Sequence, residues 1–248
     1  MDRGDGPLAV VSRPVSTTDR PQIEVRDLAG GTFDDRRATA YLHAALLPAS
    51  PVVRLGTDFM LQFYYHHLVR DGLIGCRVVR VDGHPAGFVA YTARPHDFMV
   101  AGLRRHAATL VRVLTGALVE RPSRIITVAH TLGILKHRRD DLAAGPAYDA
   151  EIMSLGVLPQ YRAPEFVRRT GMRLGERLVL DAMGALAAAG CETIAMLTEV
   201  RDRATALLLH SMGFKLVREW IGGVDCFTAL YAAGELTRTT GQPAPVAP

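Results

Sequence analysis

The chain has 248 residues, 48% of them apolar and 22% charged, which is enough for a sizeable core with an ordinary surface. Its 29 Lys and Arg against 25 Asp and Glu leave a net charge of +4, too mild to indicate a nucleic-acid partner. Cys76, Cys191 and Cys226 are widely separated, which excludes a disulfide framework or a cysteine-based metal site and reads as reduced core thiols.

No segment reaches the roughly 20 apolar residues that a membrane-spanning helix needs, and residues 1–20 lack the apolar run of a secretory signal. A cytoplasmic protein without an integral membrane segment is expected. Residues 1–20 and 239–248 are rich in Pro, Gly, Ser and Thr and read as tails. One domain is expected over 21–238.

In chain order, IEVRDL (23–28) alternates like a half-buried strand, and 33–47 has helical spacing. The stretch 58–71 predicts a second helix, with Phe59, Leu61, Tyr64, Tyr65 and Leu68 on its apolar face. CRVVRV and HPAGFVAYT flank Asp82-Gly83, a strong hairpin signal because both turn residues need positive φ. Residues 96–139 read as a helical insertion of two helices broken near Pro122, carrying much of the excess basic charge. A solvated face is the ordinary reading of that charge; a lid attracting an anion, or a face near a membrane surface, is the functional one.

EIMSLGV (151–157) reads as a strand, 164–189 as the longest helix with Gly190 as its cap, and TIAMLTEV (193–200) as a strand covered on both faces. A short helix at 202–212 ends at Gly213, and KLVREWI and VDCFTALY form a last hairpin across Gly222-Gly223.

The run from Glu151 to Phe214 (EIMSLGVLPQYR, RRTGMRLGERL, CETIAMLTEV, RDRATALLLHSMGF) resembles the acetyl-CoA-binding half of the GCN5-related N-acetyltransferases, the GNAT family. The resemblance implies an α/β (α+β) fold: a single GNAT domain with a mixed, mostly antiparallel sheet flanked by helices. It implies an acyl-CoA-dependent N-acyltransferase, most simply moving acetyl from acetyl-CoA to the amine of a small molecule by direct attack, with no metal. A longer-chain acyltransferase using acyl-CoA or an acyl carrier protein, and a non-catalytic GNAT-like binding protein, stay open beside it, as does a homodimer.

The same resemblance assigns roles. Leu155, Gly156 and Val157 would form a β-bulge that splays the strand and pairs with the pantetheine arm; glycine tolerates the dihedrals of a bulge. The pyrophosphate loop, Arg/Gln-x-x-Gly-x-Gly/Ala in the family, falls in one of two registers. Arg168, Arg169, Thr170, Gly171 and Arg173 keep the Arg and the first Gly; Thr170 through Leu174 and Gly175 keep the last Gly. The first is preferred because it puts an Arg and a Gly together at a helix start. An insertion, Ala163–Val167, separates this loop from Tyr161-Arg162.

Glu151 would be the general base, against a solvated strand-end carboxylate as the plain alternative; His66 and His67 are weaker candidates. In the closing motif, Asp202 and Thr205 stand at the Asn and Ala positions. Leu209 stands where the family has a tyrosine that protonates the departing thiolate. Leucine has no proton to give, and the neighbouring His210 points about 100° away on a helix.

Overall fold

A computed structural model describes residues 20–120, 148–221 and 224–232. The expected tails, the second half of the insertion with Pro122, and the Gly222-Gly223 turn lie outside the described residues.

Seven strands form one sheet in the order β1-β2-β3-β4-β5-β7-β6. They are β1 (Ile23–Asp27), β2 (Gly75–Val81), β3 (His84–Thr92), β4 (Ala150–Val157), β5 (Thr193–Glu199), β6 (Lys215–Ile221) and β7 (Val224–Ala232). Every neighbouring pair is antiparallel except β4 and β5, which run parallel. The expected Asp82-Gly83 turn closes β2 on β3 with φ of 51° and 77°, the doubly positive pair of a tight hairpin.

Helices cover both faces. On one, α1 (Phe33–Leu46), the short α2 (Pro51–Arg54), α3 (Phe59–Leu68), α4 (Phe98–Arg105) and α5 (Ala107–Glu120) belong to a core containing Leu42, Phe63, Tyr64, Tyr65 and Phe88. On the other, α6 (Pro164–Thr170), α7 (Leu174–Ala188) and α8 (Arg203–Ser211) belong with Val89, Ile152, Leu178, Leu186 and Phe214.

Thr32 and Asp35 form a reciprocal capping box that starts α1. Asp35 is buried and also accepts from Arg80 Nη2 at 2.7 Å, tying α1 to β2. Burial alone would raise its pKa, but the Thr32 amide and the Arg80 guanidinium hold it below the ordinary carboxylate value.

Three helical segments differ from the sequence reading. The segment 164–189 is two helices, because Gly171 adopts φ 69° as the left-handed cap of α6 and the chain restarts at Leu174. The described part of the insertion has a break of its own at His106, where the His106 ring bonds Asp71 Oδ2 at 2.6 Å. The third, α3, is wound with π pitch, so it buries a broader arc than an α-helical stripe: Met60 and Phe63 are buried, while Leu61 is only partly so.

Candidate active site

Strands β4 and β5 pair only through Ala150↔Ile194, Glu151↔Ala195 and Ile152↔Met196. Beyond Ile152, β4 stays bonded to β3, and beyond Met196, β5 stays bonded to β7. The two strands therefore part inside the sheet, and their facing backbone groups lose their ladder partners. A cleft of about 480 Å³ opens in the gap. Its walls are Met153–Leu155 on β4 and Met196–Glu199 on β5, with Leu47 beyond the end of α1 and Arg201, Asp202 and Thr205 at the mouth.

The bulge that turns β4 is at Met153, not at Leu155–Val157. The register steps from Tyr91↔Ile152 to Ala90↔Ser154, so Met153 has no partner residue on β3. Gly156 has a different reason to be glycine: a Cβ there would come within 2.8 Å of Phe88 Cε1 and 2.9 Å of Leu46 Cδ1. Val157 belongs to the α7 core, and of the three expected residues Leu155 lines the cleft.

Glu151 is buried, at 2% exposure, where β4 and β5 still pair. Its neighbours Ala150 and Ile152 belong to the α7 core, so strand alternation turns Glu151 toward the face that carries α1 and α3. Beside it in the register is Thr92, whose Oγ1 donates to Leu73 O at 2.8 Å.

The loop residues divide between two helices. Arg168 and Arg169 lie in the last turn of α6 rather than at a helix start. Arg168 is exposed and paired with Glu165 at 3.0 Å, and Arg169 lies over the Phe166 ring at 5.9 Å. Thr170 is buried, donating to Phe166 O and accepting from Met172 N. The helix start is at Arg173–Gly175: Arg173 is the N-cap of α7 and makes no side-chain cap bond. Leu174 packs into the core, and a Cβ on Gly175 would lie 3.6 Å from Leu208 Cδ2 of α8. The N-terminus of α7 thus stands beside α8, whose first turn edges the cleft.

That first turn of α8 is already satisfied. Asp202 accepts from Thr205 N at 3.2 Å and from Thr205 Oγ1 at 2.7 Å. With a carboxylate on its end, α8 is closed to a second anion, whereas α7 keeps first-turn N–H groups with no capping side chain.

His66 and His67 do not line the cleft. The His67 ring stacks on His106 at 4.1 Å, and burial pushes the pKa of both His66 and His67 below the ordinary histidine value. Leu209 is fully buried in the core on the α7 side, and His210 is exposed. The sequence reading missed Met153 and Met196 as cleft walls, since nothing in a buried strand pattern marks the point where two strands separate. It also read Tyr64 only as an apolar residue, although its hydroxyl donates to Met153 Sδ at 3.8 Å.

No protein-family model and no curated protein matches the chain. Solved structures do. SsHAT is 18% identical, covering 86% of this chain and 99% of its own, with a TM-score of 0.54. A structure described as an acetyltransferase is 15% identical, covering 85% and 99%, with a TM-score of 0.50. YncA of Salmonella typhimurium, solved with acetyl-CoA, is 14% identical over 85% and 94%, with a TM-score of 0.47. The chain has the GNAT fold. Among the described residues no helix is long and apolar enough to cross a membrane.

Proposed function

We propose that this GNAT domain is an acyl-CoA-dependent N-acyltransferase that moves acetyl from acetyl-CoA to the amine of a small molecule. The observation that carries the reading is the separation of β4 from β5 after Ile152. It leaves strand-edge donors and acceptors facing a cleft of about 480 Å³. An extended chain bearing amides, such as a pantetheine arm, satisfies such an edge as an added strand would.

The pyrophosphate fits the start of α7, around Arg173, Leu174 and Gly175, where uncapped N–H groups and the helix dipole favour an anion. Gly175 keeps the approach to that turn open. Arg168 and Arg169, one short loop away, add positive charge. In the register, the helix start favours the version that keeps Gly175.

Backbone N–H groups at the Met153 bulge would polarise the thioester carbonyl, a contribution of about 3 kcal/mol for one well-placed donor. Glu151, buried two residues upstream, would accept the ammonium proton of the acceptor amine. The amine would then attack the carbonyl carbon directly, the carbon–sulfur bond would break with its electron pair passing to sulfur, and the proton left on nitrogen would pass through water to the departing thiolate.

Calorimetric titration with acetyl-CoA tests the cofactor. Binding is expected, and Gly175→Val is expected to weaken it about tenfold, or 1.4 kcal/mol. No heat at roughly millimolar acetyl-CoA, a concentration that detects even weak sites, defeats the reading. Glu151→Gln tests the base: kcat should fall on the order of 10²-fold, and the acidic limb of the pH–rate profile should vanish. An unaltered profile removes Glu151 from the mechanism.

A further inference from the structure

We propose that His67 is a proton-operated latch: its neutral ring holds the junction of α4 and α5 against the end of α3, and a proton on that ring releases it. The inference stands apart from the acyltransfer reading.

The junction is at His106. The His106 ring lies nearly flat on the His67 ring of α3, with centroids 4.1 Å and planes 18° apart. Its Nε2 meets Asp71 Oδ2 at 2.6 Å. Asp71 follows α3 directly, its amide donating to His67 O at 3.0 Å. Gly102 of α4 sits so close to Leu68 of α3 that a Cβ has no room. Phe98 and Met99 of α4 and Val113 of α5 are buried in the same core as α3. The stacked rings therefore form the polar edge of a docked apolar face.

His67 Nδ1 is buried, with no hydrogen-bonding partner among the described residues. An unprotonated ring nitrogen is cheaper to bury there than an N–H, so the neutral ring carries its proton on Nε2. A second proton would go to Nδ1 and bury a charged donor without an acceptor. Asp71, the nearby carboxylate, is already engaged. Its Oδ2 takes His106 and, at 3.3 Å, Arg105, and its Oδ1 takes Arg70 Nε at 3.3 Å. His106, His66 beside it on α3 and Arg70 each disfavour a charge on His67, and Arg36 of α1 acts on His66 in turn.

Burial first, and then those charges, hold the His67 pKa below the ordinary histidine value, with Asp71 opposing them. Once released, the ring is solvated and titrates near about 6.5. Docking of α4 and α5 is therefore at full strength above that pH, and weakens as pH falls from there to the lower pKa of the docked ring. One proton is gained on release, so the opening constant rises by at most about tenfold per pH unit.

Amide hydrogen exchange read by mass spectrometry, with rates corrected for the intrinsic effect of pH, follows the opening of residues 98–113. Between pH 7.5 and pH 5 their protection should fall severalfold, while α7 on the other face of the sheet keeps its own. His67→Phe, which keeps a ring for the stack but takes no proton, and His67→Gln should each abolish this pH dependence. His66→Gln should leave it in place. No loss in the wild type, an equal loss in α7, or a loss that persists in a folded His67 variant overturns the proposal, as does a loss that His66→Gln removes.

Discussion

His43 carries the clearest pH consequence in the molecule. It is fully buried on α1, with Nδ1 2.6 Å from the Tyr65 hydroxyl and Nε2 3.0 Å from Ser50 Oγ. A neutral ring satisfies both contacts, one nitrogen donating and the other accepting. Burial lowers its pKa from 6.5 to about 4. The unfolded chain therefore takes up a proton as pH falls through 6.5, while the folded chain resists until about pH 4. Stability is full above 6.5 and declines across that window, by about 3 kcal/mol in total. Denaturant melts at pH 7.5 and pH 5 should show most of that loss, and His43→Gln, which cannot titrate, should flatten it. Asp71 acts lower: the hydrogen bond from His106 holds its pKa at about 2, so its contribution is present above its ordinary value of 3.8 and goes only in strong acid. At this same scale the sequence was least informative. Nothing around Met153 distinguishes it from an ordinary strand residue, because its place in the cleft wall is set by the register of β4 against β3.

Among the elements, β4 decides most. Its strand character and bounds follow from EIMSLGV, and Gly156 was expected to mark a bulge. The glycine instead admits Phe88 of β3 and Leu46 of α1 against the backbone. Gly156→Ala should therefore overpack, costing about 1–3 kcal/mol, and should displace Leu46 and with it the adjoining cleft residue Leu47. A melting curve matching wild type would refute that account. The helix-start reading of the glycine loop failed for a local reason. Periodicity runs nearly unbroken across 164–189, and only the positive φ of Gly171 stops α6, which places the free N–H groups at Leu174 rather than Arg168. The break at His106 was likewise not visible, since it accompanies a hydrogen bond to Asp71 on a different element. By contrast, the Asp82-Gly83 hairpin was legible, because it is made by residues adjacent in the chain.

At the scale of the whole molecule, the order of elements from Glu151 to Phe214 was sufficient to indicate the GNAT fold, and the sheet has the mixed, mostly antiparallel form expected. Alternation, turn residues and helix caps are short-range effects, so the amino-acid sequence alone determined most strand and helix identities and the crossover between β4 and β5. The tertiary structure decided where β4 and β5 part and which helix end is left uncapped. Both depend on packing between distant segments: Met153 is set against β3, and Gly175 against α8. Hydrophobic pattern specifies that such residues are buried but not what they are buried against, and here the second property is the one that carries the chemistry.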